Sequence, residues 1–228
     1  MSGVLGIETS SAVCSVGLVT SDGKEFARRI VESHIHSEKI LTLTTEVCEL
    51  ARVPLDRISA VAVSEGPGSF TGLRIGVSTA KGLCFALHVP LIAVPTFEAM
   101  VAERNRLKKR IVSRVTICID AKQGEWYTAH FELEGESVRA IREVAVESLE
   151  QVVARADGPT ELVTDTPEKF RALPFADVLP AEPFFSGAAI ARVGFRKLNQ
   201  GRAADIGRVE PRYLKDFVVR GAAKTISL

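Results

Sequence analysis

Twelve residues, EGPGSFTGLRIG at 65–76, limit most strongly what this chain can fold into. They follow an apolar, strand-like run at 60–63 and lead into a segment with almost no charge, where Lys81 is the only ionised residue between 75 and 87. Gly66 and Gly68 around Pro67 require a tight turn with positive φ available, and Thr71 is a favourable N-cap for a following helix. Strand, turn and helix start in this order either cradle an anion or present a surface to a partner. Small residues recurring at Gly72, Gly76 and Ala80 open one face of the helix to close approach.

The chain is long enough for a substantial core. At 24.6 kDa it exposes about 10,000 Å² folded against about 36,000 Å² unfolded, so roughly 70% of its surface can be buried. Its 29 basic residues nearly balance 28 acidic ones, a net charge of +1, so no whole-molecule field steers nucleic acid and any RNA contact must be local. Cys14, Cys48, Cys84 and Cys118 form no CxxC pair and read as small core residues. The apolar run at 4–7 is too short for a signal peptide and has no basic stretch before it. The longest apolar stretch, 83–94, is broken by His88 and Pro90 and is too short to span a bilayer. A reducing cytoplasm without membrane contact is expected.

Strands are expected at 4–8, 12–19 and 24–31, with Ser21, Asp22 and Gly23 turning a hairpin. Ser37 is expected to cap a helix to about residue 51, with Glu38 near its positive end and Pro54 beyond its stop. Ile40, Val47, Cys48 and Ala51 form one apolar face, and Leu43, Val47 and Leu50 a second, a stripe wider than one sheet requires. A strand at 91–94 leads to a helix capped by Thr96, whose end turns basic through Arg104, Arg106, Lys108, Lys109, Arg110 and Arg114. Such a run reads as a solvated connection between lobes, with a phosphate-contacting RNA patch as the sharper alternative.

From residue 115 the order repeats: the apolar run 115–120, a polar turn and the run 126–132 mirror residues 4–19. Two related lobes are therefore expected, at 1–103 and 104–210, the second smaller, with 211–228 rejoining the first. Glu8 and Asp120 would each end the first strand of a lobe and face the cleft between them, where two-lobed phosphotransferases hold metal and phosphates. The plainer role for a carboxylate at a strand end is a local turn or cap acceptor. His34 and His36 have no carboxylate or cysteine ligands beside them, and Ser69 lies outside any GxSxG elbow, so neither a metal site nor a nucleophile is assigned.

GIETSSAVCSVGLV at 6–19, HSEKIL at 36–41, GPGSFTGLRIGVSTAKGL at 66–83, DAKQGEWY at 120–127 and PRYL at 211–214 together resemble the TsaB family. Its members are subunits of the bacterial machinery that makes threonylcarbamoyladenosine in tRNA, and the resemblance covers nearly the whole chain. It implies an α/β fold, a two-lobed actin-like ATPase or ribonuclease-H-like architecture with mixed sheets flanked by helices and a reduced second lobe. The paralogous catalytic subunit, TsaD, shares a related glycine motif and follows it with two histidines, four residues apart, as metal ligands. The matching positions here are Thr96 and Met100, a weak hydroxyl and a soft thioether. A late glycine-rich adenine loop is also missing, since Gly187, Gly194, Gly201 and Gly207 stand alone.

The resemblance therefore implies a non-catalytic scaffold or activator with no metal and no cofactor. Its partner would be TsaD, which transfers the threonylcarbamoyl group to the adenosine next to the anticodon, with the ATPase TsaE and the synthase TsaC completing the pathway. tRNA would be met through the complex. The expected contact is a four-helix bundle using His36, Ile40, Leu43, Thr44, Val47, Leu73, Arg74, Val77, Ala80, Lys81 and Cys84, and the chain alone would hide that surface in a homodimer. Val77→Arg is then expected to break pairing while sparing the fold. Two alternatives stand beside this reading: an active small ATP-dependent phosphotransferase using Glu8 and Asp120, and a glycoprotease-like peptidase.

Overall fold

The computed structural model describes residues 2–32, 35–107, 112–135, 137–155, 160–172 and 177–215. Its first sheet holds β1 (Gly3–Glu8), β2 (Val13–Thr20), β3 (Glu25–Val31), β4 (Ile58–Gly66) and β5 (Leu91–Pro95), in the order β3-β2-β1-β4-β5. Between these strands run α1 (His36–Ala51) and α2 (Phe70–Leu87). The second sheet holds β6 (Arg114–Asp120), β7 (Glu125–Glu134), β8 (Ser137–Ala140), β10 (Glu161–Thr164) and β11 (Asp177–Pro180), in the order β11-β10-β6-β7-β8, with β9 (Ala145–Ser148) also on β7. α3 (Thr96–Leu107), α4 (Leu149–Ala154) and α5 (Gly187–Asn199) complete the regular elements.

The two sheets repeat one topology. β1 pairs antiparallel with β2 and β2 with β3, while β4 and β5 add in parallel. In the second sheet β6, β7 and β8 form the antiparallel meander, and β10 and β11 add in parallel. The repeat anticipated from residue 115 is present, and with it the actin-like, ribonuclease-H-like architecture. What differs is the cover. α1 and α2 run 16 and 18 residues along the first sheet, whereas at the equivalent crossovers of the second sheet the described residues hold α4, six residues long, and a single 3-10 turn at Pro167–Lys169.

Every residue of β1 and β2 is buried, which explains why both read as continuous apolar runs rather than alternating ones. α1 packs on β2 and α2 on β4 from one side, and α5 crosses β1, β2 and β4 from the other. That crossing is unusually close. A Cβ on Gly6 would collide with Gly187 O and Ala191 N, and one on Gly17 with Ala188 N, so both strand positions need glycine for backbone to meet backbone. α5 lies within residues 104–210, yet its packing is on the first sheet and on α3. The segment 211–215 touches both halves: Arg212 N donates to Glu65 O at 2.6 Å, and Lys215 Nζ donates to Ala121 O at 3.2 Å.

Helix starts differ from those expected. α1 begins at His36 behind Ile35, which offers no side-chain cap. Instead His36 Nε2 lies 3.0 Å from Ser11 O, tying this helix end to the β1–β2 loop. α2 is capped by Ser69, whose Oγ accepts from Gly72 N at 3.2 Å, so Thr71 falls inside the first turn. Thr96 is fully buried and its hydroxyl has no hydrogen-bond partner among the described residues, so it caps nothing. The basic stretch is not a uniformly solvated connection either: Arg104 is buried and forms a bidentate pair with Glu161, at 2.5 and 2.7 Å. Lys108 to Arg110 lie outside the described residues.

Candidate functional site

The glycine motif seats a neighbouring loop of the same chain. Gly66 and Gly68 take φ of +119° and +158°, the positive-φ turn that the sequence required. A Cβ on Gly68 would collide with Ser10, and Cβ atoms on Gly72 and Gly76 would collide with Thr9. Thr9 Oγ1 donates to Gly72 O at 2.8 Å, and Ser69 N donates to Ser10 O at 2.7 Å. The small-residue face of α2 therefore receives the β1–β2 loop, not a helix from outside.

This docking also closes over Glu8. Its carboxylate is buried, with Oε1 accepting from Ser10 N at 2.6 Å and from Ser64 Oγ at 3.3 Å. Burial pushes the Glu8 pKa above the usual carboxylate value, and the Ser10 and Ser64 hydrogen bonds oppose that rise only in part. Asp120 holds the equivalent strand end in the second sheet and is more open. Lys122 donates to it through N at 2.8 Å and Nζ at 2.7 Å, and Asp165 Oδ1 accepts from Asp120 N at 2.9 Å. Burial raises the Asp120 pKa, but the Lys122 contacts outweigh it and hold the group below its ordinary value. One carboxylate is thus sealed and the other engaged by a lysine, so each acts as the local acceptor that is the plainer role for a strand-end carboxylate.

Thr96 and Met100 are also buried, Met100 among Phe97, Val101 and Ile117. Among the described residues no group of three or more His, Cys, Asp and Glu could hold a metal ion. The four cysteines are free and buried, and burial raises the Cys14 and Cys84 thiols to about 11, which disfavours the reactive thiolate.

Of the eleven residues expected at a partner contact, nine lie inside the chain's own core or its edge: His36, Ile40, Leu43, Thr44, Val47, Leu73, Val77, Ala80 and Cys84 are all buried. The apolar stripes of α1 and α2 are used up covering the first sheet. Val77, 4% exposed and in the same cluster as Val61 and Val63, cannot accept an arginine without disrupting the fold, so the Val77→Arg expectation is corrected. Lys81 is half-buried. Arg74 is exposed but engaged: its guanidinium lies 3.9 Å from the Phe70 ring centroid and its Nε donates to Tyr213 Oη at 2.8 Å.

The outward face of the two helices is defined by other residues. Phe85 on α2 is 78% exposed and Leu41 on α1 is 56% exposed, the largest values among the bulky apolar side chains. With Arg74, Ser78 and Lys81, Phe85 follows the helical repeat along the side away from the sheet. The signal was in the sequence: a phenylalanine one position beyond Cys84 falls outside the inward stripe. The small-residue pattern drew attention to the opposite face.

The family described as TsaD, tRNA N6-adenosine threonylcarbamoyltransferase, matches over residues 30–216. The chain belongs to this family. Within it the chain is similar to proteins named TsaB, tRNA threonylcarbamoyladenosine biosynthesis proteins. The one from Escherichia coli strain K12 is 35% identical over 57% of this chain and 54% of its own length, so the chain spans about half of that relative. The one from Bacillus subtilis strain 168 is 26% identical over 93% of both. The solved structure of YeaZ from Pseudomonas aeruginosa is 25% identical with a TM-score of 0.81, covering 94% of this chain and all of that one. No helix among the described residues is long and apolar enough to cross a membrane.

Proposed function

We propose that the chain is a non-catalytic subunit of the threonylcarbamoyladenosine machinery, a scaffold and activator that pairs with a TsaD-like catalytic subunit. The observation that carries this reading is the outward face of α1 and α2. Phe85 and Leu41 stand exposed on neighbouring helices whose inner faces are already committed to the sheet, an arrangement suited to helix-on-helix docking. Lys81 contributes at the edge of this face; the buried residues of the stripe support it from beneath. Alone, the chain covers the same face with a second copy, because exposed apolar surface invites association. In this reading the working lobes are 1–103 and 104–210, with α5 of the second packed on the sheet of the first, 211–215 touching both, and the rest of 211–228 outside the described residues. A TsaE-like ATPase joins the assembly, tRNA is met through the partner, and the setting is the cytoplasm.

The sealed Glu8 and the lysine-bound Asp120 support a subunit that neither turns over ATP nor cleaves peptides by itself. Co-purification with the TsaD-like subunit of the same cell tests the pairing. Phe85→Arg should weaken capture by roughly a hundredfold, since a buried unpaired guanidinium costs several kcal/mol, while circular dichroism stays unchanged. Undiminished capture by the variant would move the interface elsewhere. Steady ATP hydrolysis by the chain alone with Mg²⁺, abolished by Glu8→Gln, would instead favour the phosphotransferase reading.

A further inference from the structure

A cavity of about 880 Å³ opens between the two halves, bounded by α3, α5, the β7–β8 hairpin with the loop after it, and Arg212. Its lining is apolar at Phe97, Phe131, Val138 and Val193. Five cations surround it, Arg142, Arg196, Lys197, Arg202 and Arg212, against two carboxylates, Glu98 and Glu143. Among the described residues, then, the lining carries +3 in a chain whose net charge is +1. Glu98 neutralises Lys197, with Nζ 2.9 Å from Oε2. Arg142 and Arg196, from separate segments, make no side-chain hydrogen bond or ion pair with another described residue, while Arg212 lies within electrostatic reach of the half-buried Glu65 behind the lining. Like charges gathered around one concavity repel, and an anion bound among them relieves the repulsion.

We propose that this cavity binds a small organic anion, an aromatic or apolar body of nucleotide size carrying a phosphate or comparable group. The volume falls in the range of small-molecule sites, and the planar guanidinium fork suits phosphate oxygens. The apolar lining separates this ligand from a bare inorganic ion. The concavity separates it from an RNA backbone, which would track the cations and leave the lining empty. Because the lining comes from both sheets, a bound anion bridges the two halves.

Titration of the full-length protein with anilinonaphthalene sulfonate, a fluorescent aromatic anion, tests the proposal. The exposed pair Arg142→Glu and Arg196→Glu should weaken dye binding about tenfold, as expected for losing charge-assisted contacts. Arg196→Ser alone should weaken it by a smaller factor, and Phe85→Ser should leave it in place. AMP should displace the dye, and inorganic phosphate at the same concentration should not. Dye binding that survives both arginine substitutions and disappears in Phe85→Ser would overturn the proposal, because the dye would then report the outer helix face. Displacement by phosphate as effective as by AMP would remove the role of the apolar lining. Displacement by single-stranded RNA but not by AMP would make the surface an RNA contact instead. No second subunit enters these measurements, so they fail or succeed independently of the pairing with TsaD.

Discussion

The two sheets share a strand order and differ in what holds their covers. On the first, long helices and glycine-lined backbone contacts close both faces, as where α5 meets Gly6 and Gly17. On the second, the described cover is short and more of the cohesion is polar. Arg104 of α3 pairs with Glu161 of β10 in the interior, Thr116 Oγ1 meets His130 Nδ1 at 3.0 Å, and Arg155 pairs with the buried Glu147. A sheet topology can thus persist while its helices shrink, provided side-chain pairs take over the burial. The half that keeps long helices also leaves Phe85 and Leu41 exposed on their outer side.

The largest effect should come from breaking the packed half at its closest point. Gly6→Val places branched carbons against Gly187 O and the backbone of Ala191, and neither can move without displacing α5 or β1. Overpacking usually costs about 1–3 kcal/mol and more where the obstacle is backbone, so the variant should lose most of its stability, read from urea unfolding. A near-native midpoint would show that α5 can lift away and that the close crossing is dispensable.

Next comes the polar half. Arg104→Met leaves the Glu161 carboxylate buried without its partner, a loss of about 3–5 kcal/mol. The double variant Arg104→Met/Glu161→Leu should recover most of it, because a well-packed apolar pair often matches a buried ion pair. Failure of the double variant to recover would mean that the pair supplies geometry that packing cannot.

How far these features were legible in the sequence follows the same division. The duplication could be read because both sheets begin with an apolar run, a carboxylate and a polar turn. The turn at Gly66 and Gly68 was legible because only glycine takes those φ values cheaply. The outward face of α2 was legible only through Phe85, because the stripe of small residues by itself accepts a loop of the same chain as readily as a foreign helix. Arg104 was hidden within a basic run, since nothing local distinguishes the one arginine whose partner is 57 residues away. The caps shifted for a related reason: Ser69 and Thr71 are both good caps, and the docking of Ser69 N on Ser10 O selects the first.

The equivalent carboxylates Glu8 and Asp120 should respond to pH with opposite sign. Because burial raises the Glu8 pKa above its ordinary 4.5, its favourable share of stability is complete below that value and is lost as pH rises through the raised one. Asp120 is held below its ordinary 3.8, so its share is present above that value and is lost as pH falls. Glu8→Gln keeps an acceptor for Ser10 N while removing the buried ionisable group, so it should stabilise the protein at pH 7 by about 1–3 kcal/mol and by less at pH 5. Urea midpoints for both proteins at the two pH values check this. A variant less stable at pH 7 would mean that the ionised Glu8 is needed where it sits.

The smallest effect concerns the segment that spans the two halves. Tyr213 stacks on Phe70 with ring centroids 4.7 Å apart, and its hydroxyl accepts from Arg74 Nε. Two residues on, Lys215 donates to Ala121 O and Lys122 O and pairs with Glu125 at 2.6 Å. An aromatic pair is worth about 0.5–1.5 kcal/mol beyond its buried area, whereas a hydrogen bond and cation contact in solvent add little. Tyr213→Phe should therefore leave the segment in place, and Tyr213→Ser should release it at a cost of about 1 kcal/mol. Amide exchange at Arg212, which donates to Glu65 O, would report the release directly, rising severalfold in the serine variant and not in the phenylalanine one. Equal protection in all three proteins would locate the anchor at Lys215, on the side of the second sheet. Equal loss in both variants would instead assign the anchor to the hydroxyl and its bond to Arg74.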